Sequence, residues 1–107
     1  MTTFDKREDA FEKKFAHDAE LRFKAESRRN KLLGAWAAGL LGKRGADADA
    51  YVRSVIEADI EQAGAEDVFR KIRHDFNAAK VAQSDHQIRR TMDEMMQTVM
   101  AQLAREG

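Results

Sequence analysis

Through the C-terminal stretch, Ile88, Met92, Met95, Met96, Val99 and Leu103 recur mostly at steps of three and four residues. At about 100° per residue this spacing gathers them on one side of a helix, and it is the cleanest periodic signal in the chain. Ser84 and Gln87, three apart just before it, form a capping box. Earlier stretches repeat the pattern. Residues 21–41 carry Leu21, Ala25, Leu32, Trp36 and Leu40 on one face, widened by Leu33 and Ala37, and hold the only Trp, so this is read as the central helix. From about Asp47 to Gln62 the buried side is Ala48, Val52, Val55, Ile56 and Ala63, with Tyr51 and Ile60 at its margins. A third run offers Val68, Phe69, Ile72, Phe76 and Ala79 behind a first turn containing Glu66 and Asp67, where carboxylates suit the helix dipole. The pattern lapses near Ala82. No strand-like alternation or hairpin dipeptide interrupts the series, so the expected fold is all-α, a four-helix bundle.

With no proline present, helix ends must be set by Gly, Ser and Asp. Gly39, Gly42 and Gly45 cluster where the central helix should stop, with Lys43 and Arg44 beside its last carbonyls, and Gly64 should end the next helix. The 107 residues suffice for one modest core. Nineteen basic and nineteen acidic residues cancel, which removes the global positive field that nucleic-acid binding uses. The absence of cysteine excludes disulfides and zinc-thiolate sites. No apolar leader opens the chain and no apolar run approaches a bilayer's thickness, so a soluble, cytoplasmic protein without membrane insertion is expected.

Residues 4–20 differ in kind. Phe4, Phe11 and Phe15 alone supply bulk to an otherwise charged, glycine-free stretch, and Asp5 with Glu8 could cap a helix there. Short polar helices are marginal in water, so this segment is expected to be mobile when free, frayed or partly disordered, and to fold on a partner. The competing reading is a solvated extension of the central helix whose Phe residues cover one end of the core. The division expected is a mobile segment over 1–18 and a bundle over 19–107.

No constellation suggests an enzyme. Gly39-Leu-Leu-Gly42-Lys43-Arg44-Gly45 lacks the spacing and the Ser or Thr of a phosphate loop and follows a helix, although weak contact with a nucleotide phosphate stays open. Arg28-Arg29-Asn30-Lys31 spreads around a helix and reads as a solvated face. His17, His74 and His86 lack metal spacing, so no metal is expected. Asp59 and Asp75 border apolar faces without forming an acid–base pair, and Ser27, Ser54 and Ser84 have no adjacent base. The four methionines of the last helix read as core filling.

The run Phe4-Asp-x-Arg7-Glu8-x-x-Phe11-Glu12-x-Lys14-Phe15-Ala16-x-Asp18, then Glu20-Leu-x-Phe23-Lys24 and Arg28-Arg-Asn-Lys-Leu-Leu-Gly-x-Trp36-Ala-Ala38, resembles the zeta subunit of the alphaproteobacterial F-type ATP synthase. Ala50-Tyr51, Glu57-Ala58-Asp59, Glu66-Asp67-Val68-Phe69-Arg70-Lys71 and Ser84-Asp85-x-Gln87-Ile88-Arg89 continue the likeness in order over nearly the whole chain. The chain departs from that family at Gln62-Ala-Gly-Ala65, where Pro before the Gly and Asp after it are usual, which should loosen the turn. The resemblance implies a four-helix bundle whose N-terminal segment enters the catalytic head between alpha and beta subunits near the central stalk, against the gamma subunit, and blocks ATP hydrolysis. It implies ADP or ATP as a regulatory ligand, with no cofactor required. It also implies a place at the cytoplasmic face of the inner membrane when bound, and a monomer when free. Residues and resemblance together nominate Phe4, Phe11 and Phe15 as anchors, with Arg7 and Lys14 setting orientation. The rival readings are a nucleotide-sensing module and a helical oligomerisation adaptor.

Overall fold

The computed structural model describes the backbone of residues 3–61 and 64–106, and the side chains within 9–59 and 64–106. Five helices and, among the described residues, no strand make up the chain: α1 (Thr3–His17), α2 (Ala19–Leu40), α3 (Gly45–Glu61), α4 (Ala65–Ala78) and α5 (Asp85–Glu106). The all-helical expectation holds. The count differs because the N-terminal segment forms a helix of its own, separated from the central one at Asp18. Asp5 lies inside α1 and not at its cap; its side chain and that of Glu8 fall outside the described residues.

Helix α2 is central in space as in sequence, packing on α1, α3 and α5, while α4 closes against α3 and α5. Two apolar clusters result. The larger joins Leu33, Ala37, Tyr51, Val55, Ile72, Phe76, Ile88 and their neighbours, with Trp36 edge-on to Phe76 at 5.6 Å between ring centres. The smaller contains Ala25, Val99 and Leu103, and α1 lays Phe11 and Phe15 over it. Helices α2 and α3 come close together at Gly34, where an added Cβ would sit 3.0 Å from the Val52 Cα. Even alanine there would push the two helices apart.

The helix ends follow local chemistry. Leu41 caps α2; the Lys43 N–H donates to the Ala38 carbonyl at 2.9 Å and the Gly42 N–H to the Gly39 carbonyl at 3.1 Å, with Gly42 at φ +75. This is the Schellman arrangement, which needs a left-handed residue where glycine stands. The same motif ends α4, with Val81 donating to Phe76 and Lys80 to Asn77, but the left-handed position is held by Lys80. The capping box of α5 forms as expected: the Gln87 N–H donates to Ser84 Oγ at 3.1 Å, and the Ser84 N–H to Gln87 Oε1 at 2.8 Å. Gly64 takes φ +153 ahead of α4, and its N–H donates to Asp59 Oδ1 at 3.4 Å; Gln62 and Ala63, on which the expected loosening of this turn rests, fall outside the described residues.

Several expected faces are revised. Leu40 is exposed and Ala38 is buried, because the inward side of α2 is rotated toward Arg29, Asn30 and Gly34. Arg28–Lys31 is therefore not a solvated face. Arg29 and Asn30 are buried, Arg28 pairs with Glu106, and only Lys31 is exposed. Tyr51 belongs to the core and not to its margin, while Ala79 lies outside on the cap of α4.

Candidate functional site

Three features of sequence create an elbow between α1 and α2. Asp18 has a short carboxylate that competes for backbone N–H groups and favours the N-cap, and it adopts an extended conformation (φ −113, ψ 101) in which Oδ1 accepts from the Leu21 N–H at 3.0 Å. Lys14 and His17 occupy the last turn of α1 and Glu20 the first turn of α2, so the Lys14 and Glu20 charges each meet the dipole end they suit. Arg22 then reaches back: its Nη1 donates to the Ala16 carbonyl at 2.6 Å, supplying a partner to the open end of α1. No glycine or proline is needed for the turn.

Beyond the elbow, α1 folds back over α2 and α5. Phe11 and Phe15 lie 6.3 Å apart at a tilt of 34°, both half-buried against the cluster of Ala25, Val99 and Leu103 and its neighbours Leu21, Leu32 and Met96. Lys14, between them in sequence, is exposed. The structure thus brings Phe11, Lys14 and Phe15 together on one helix; the side chains of Phe4 and Arg7 fall outside the described residues. The reading in which the Phe residues cover one end of the core describes the placement of Phe11 and Phe15.

The seat beneath α1 is braced where the end of α5 meets α2. Arg28 donates to both carboxylate oxygens of Glu106, at 2.5 and 3.2 Å, tying the end of α5 to α2. The Arg28 hydrogen bonds hold the Glu106 carboxyl below the usual glutamate range, with the nearby Lys24 charge adding to the effect. Between this seat and the larger core sits a polar pair that sequence reasoning missed. Arg29 Nε and Nη2 donate to Asn30 Oδ1 at 3.1 and 3.0 Å, and both side chains are buried. Burial lowers the Arg29 pKa, countered by the charges of Asp59, Glu26 and Asp93. Adjacent polar residues on a charged helix give no sign of which face is inward; only the spacing of Ala25, Arg29 and Leu33 along the stripe hinted at it.

A second polar group lies at the other end of the molecule. Tyr51 donates to Asp75 Oδ2 at 2.8 Å, Lys71 donates to the same oxygen at 3.0 Å, and the ammonium groups of Lys43 and Lys71 stand 5.8 and 5.1 Å from the Tyr51 ring centre. Burial, with Asp75 assisting, raises the Tyr51 pKa, so the phenol is the neutral hydrogen-bond donor. The Gly39–Gly45 loop contributes Lys43 to this group. His17, His74 and His86 are all exposed, Ser54 Oγ donates to the Tyr51 carbonyl, and Ser84 is spent on its cap. Among the described residues no cluster of His, Asp and Glu is arranged to hold a metal ion.

Comparison with known proteins bears on the whole chain. The profile of the family described as ATPase inhibitor subunit zeta matches residues 1–102. A structure solved by solution NMR is 42% identical in sequence and superposes with a TM-score of 0.68, the match covering 81% of this chain and 99% of that one. Among curated proteins, none matches. With the profile running from α1 and its elbow through α4 and most of α5, the chain belongs to the ATPase inhibitor subunit zeta family.

Proposed function

We propose that this protein inhibits ATP hydrolysis by the F-type ATP synthase by releasing α1 from its seat and inserting it into the catalytic head, between alpha and beta subunits and against gamma. Family membership supports the inhibitor role, regulatory and not enzymatic. The observation that carries the mechanism is the shallow seating of Phe11 and Phe15: both contribute to the smaller cluster and neither to the larger core. A helix attached this way can leave without unfolding the rest. The elbow at Asp18 supports a division into an arm, residues 1–18, and a four-helix bundle, 19–107, that anchors it. Once inserted, the arm would wedge an interface that must open for hydrolysis. The protein acts in this scheme as a monomer, at the cytoplasmic face of the inner membrane.

The reading is tested by adding Phe11→Ala back to zeta-depleted synthase. Burying a Phe fully contributes roughly 1.5–3 kcal/mol, so the half-inhibiting concentration should rise about tenfold to a hundredfold. Inhibition at the wild-type concentration would reject α1 as the inserted element.

The cleft beside Tyr51 favours a second, compatible role. Leu41, Lys43, Tyr51 and Lys71 line a space of about 380 Å³, near the lower end of the ~300–1,000 Å³ that small ligands occupy. Asp75, which also lines it, is engaged by Tyr51 and by the Lys71 ammonium, leaving Lys43, which has no ion pair among the described residues, for a phosphate chain. ADP or ATP would bind there as a regulatory ligand. Titration with ADP should then shift the amides of Lys43, Tyr51 and Lys71 saturably, and unmoved resonances would remove the nucleotide from this cleft.

A further inference from the structure

Helix α1 does not seal against the body. A half-open cleft of about 390 Å³ remains between it, α2 and α5, walled by Phe11, Leu21, Leu103 and Ala104. Two exposed cations, Lys14 from α1 and Lys24 from α2, also line it. Neither takes part in an ion pair among the described residues. The one carboxylate in the lining, Glu106, is already held by both nitrogens of the Arg28 fork. An apolar floor with two ammonium groups outside any ion pair among the described residues, Lys24 standing near the already paired Glu106, is complementary to a molecule with an alkyl chain and a negative end.

We propose that this cleft binds a single-chain amphiphile with an anionic head group, of the medium-chain fatty-acid class. The chain lies against Phe11, Leu21 and Leu103, and the carboxylate is met by Lys14 and Lys24. Because the ligand touches α1 on one side and α5 on the other, it fastens the arm to the body. Binding to the docked state alone stabilises that state by mass action.

The test uses the free full-length protein and does not depend on its effect on the synthase. Decanoate, titrated below its micelle concentration, should give saturable amide shifts at Leu21, Lys24, Leu103 and Ala104 and slow hydrogen exchange over residues 9–17. Each methylene buried should raise affinity about threefold to fourfold, so octanoate should bind on the order of tenfold more weakly than decanoate. Lys24→Glu, at an exposed position that leaves the fold intact by circular dichroism, should weaken decanoate binding on the order of tenfold. Decylamine, with the same chain and the opposite charge, should bind less well than decanoate. The proposal is overturned if decanoate produces no saturable shift, if its shifts map outside the cleft, or if decylamine binds as tightly.

Discussion

A chain lacking residues 1–17 is expected to fold and to have lost inhibition of ATP hydrolysis. Among the described residues, the larger core is built from α2, α3, α4 and α5, with no side chain from α1. Leaving Asp18 in place keeps the N-cap whose carboxylate accepts from the Leu21 N–H, so α2 still has a defined start. The loss falls on the smaller cluster, where Phe11 and Phe15 no longer shield Ala25, Val99 and Leu103. Two half-buried Phe side chains amount to about 1.5–3 kcal/mol, which should lower the Tm without abolishing the cooperative transition. Function should respond far more steeply, because every proposed anchor leaves with the segment. Add-back to zeta-depleted synthase should require at least about a hundredfold more truncated protein for any inhibition. Circular dichroism and amide spectra of the same samples separate misfolding from loss of the arm. A folded, truncated chain that inhibits as well as the full one would place the inhibitory contact on the bundle.

The steep difference expected between stability and function reflects how differently the two were written into the sequence. Helix α5 was legible from its stripe and capping box, and the end of α2 from Gly42, because both signals are local. The end of α4 was not. It uses the same turn as the end of α2 but places Lys80 at φ +59, a position where glycine would have announced itself. The arm was recognisable by its sparse Phe residues and its expected limit at residue 18, yet what makes the turn there was hidden, since His17-Asp18-Ala19 contains no breaker and the elbow depends on one carboxylate and on Arg22 reaching six residues back. The seat was legible only in pieces. Leu21, Ala25, Val99 and Leu103 each sat on an expected stripe, but nothing local says that two stripes meet under α1. Least visible was Arg29-Asn30, whose polar identities pointed outward while their place on the helix pointed in.

That buried pair supports the largest change in stability expected from one side chain. Asn30→Leu should destabilise the fold by about 3–5 kcal/mol, while Arg29→Met/Asn30→Leu should recover most of that loss. Asn30 is fully buried and Arg29 nearly so, and the amide oxygen accepts two of the guanidinium's hydrogens. Replacing Asn30 by Leu removes that acceptor and leaves a cation out of water, with the more distant carboxylates of Glu26, Asp59 and Asp93 as its compensation. The substitution also removes the Asn30 Nδ2, which has no hydrogen-bond partner among the described residues, but relieving one unpaired neutral donor is a smaller effect than stranding a charge. The double variant removes cation and acceptor together and fills the layer with apolar volume, which is often neutral or stabilising. Thermal unfolding of the wild type, both single variants and the double variant gives the coupling directly, at roughly 4–8 °C of Tm per kcal/mol. A Tm for Asn30→Leu close to wild type, or a double variant no better than the single, would mean that the pair is solvated and not buried. Because the pair lies between Ala25 beneath α1 and Leu33 in the larger core, Asn30→Leu should also loosen the seat. Hydrogen exchange over residues 9–17 should then quicken in the single variant and return toward wild type in the double.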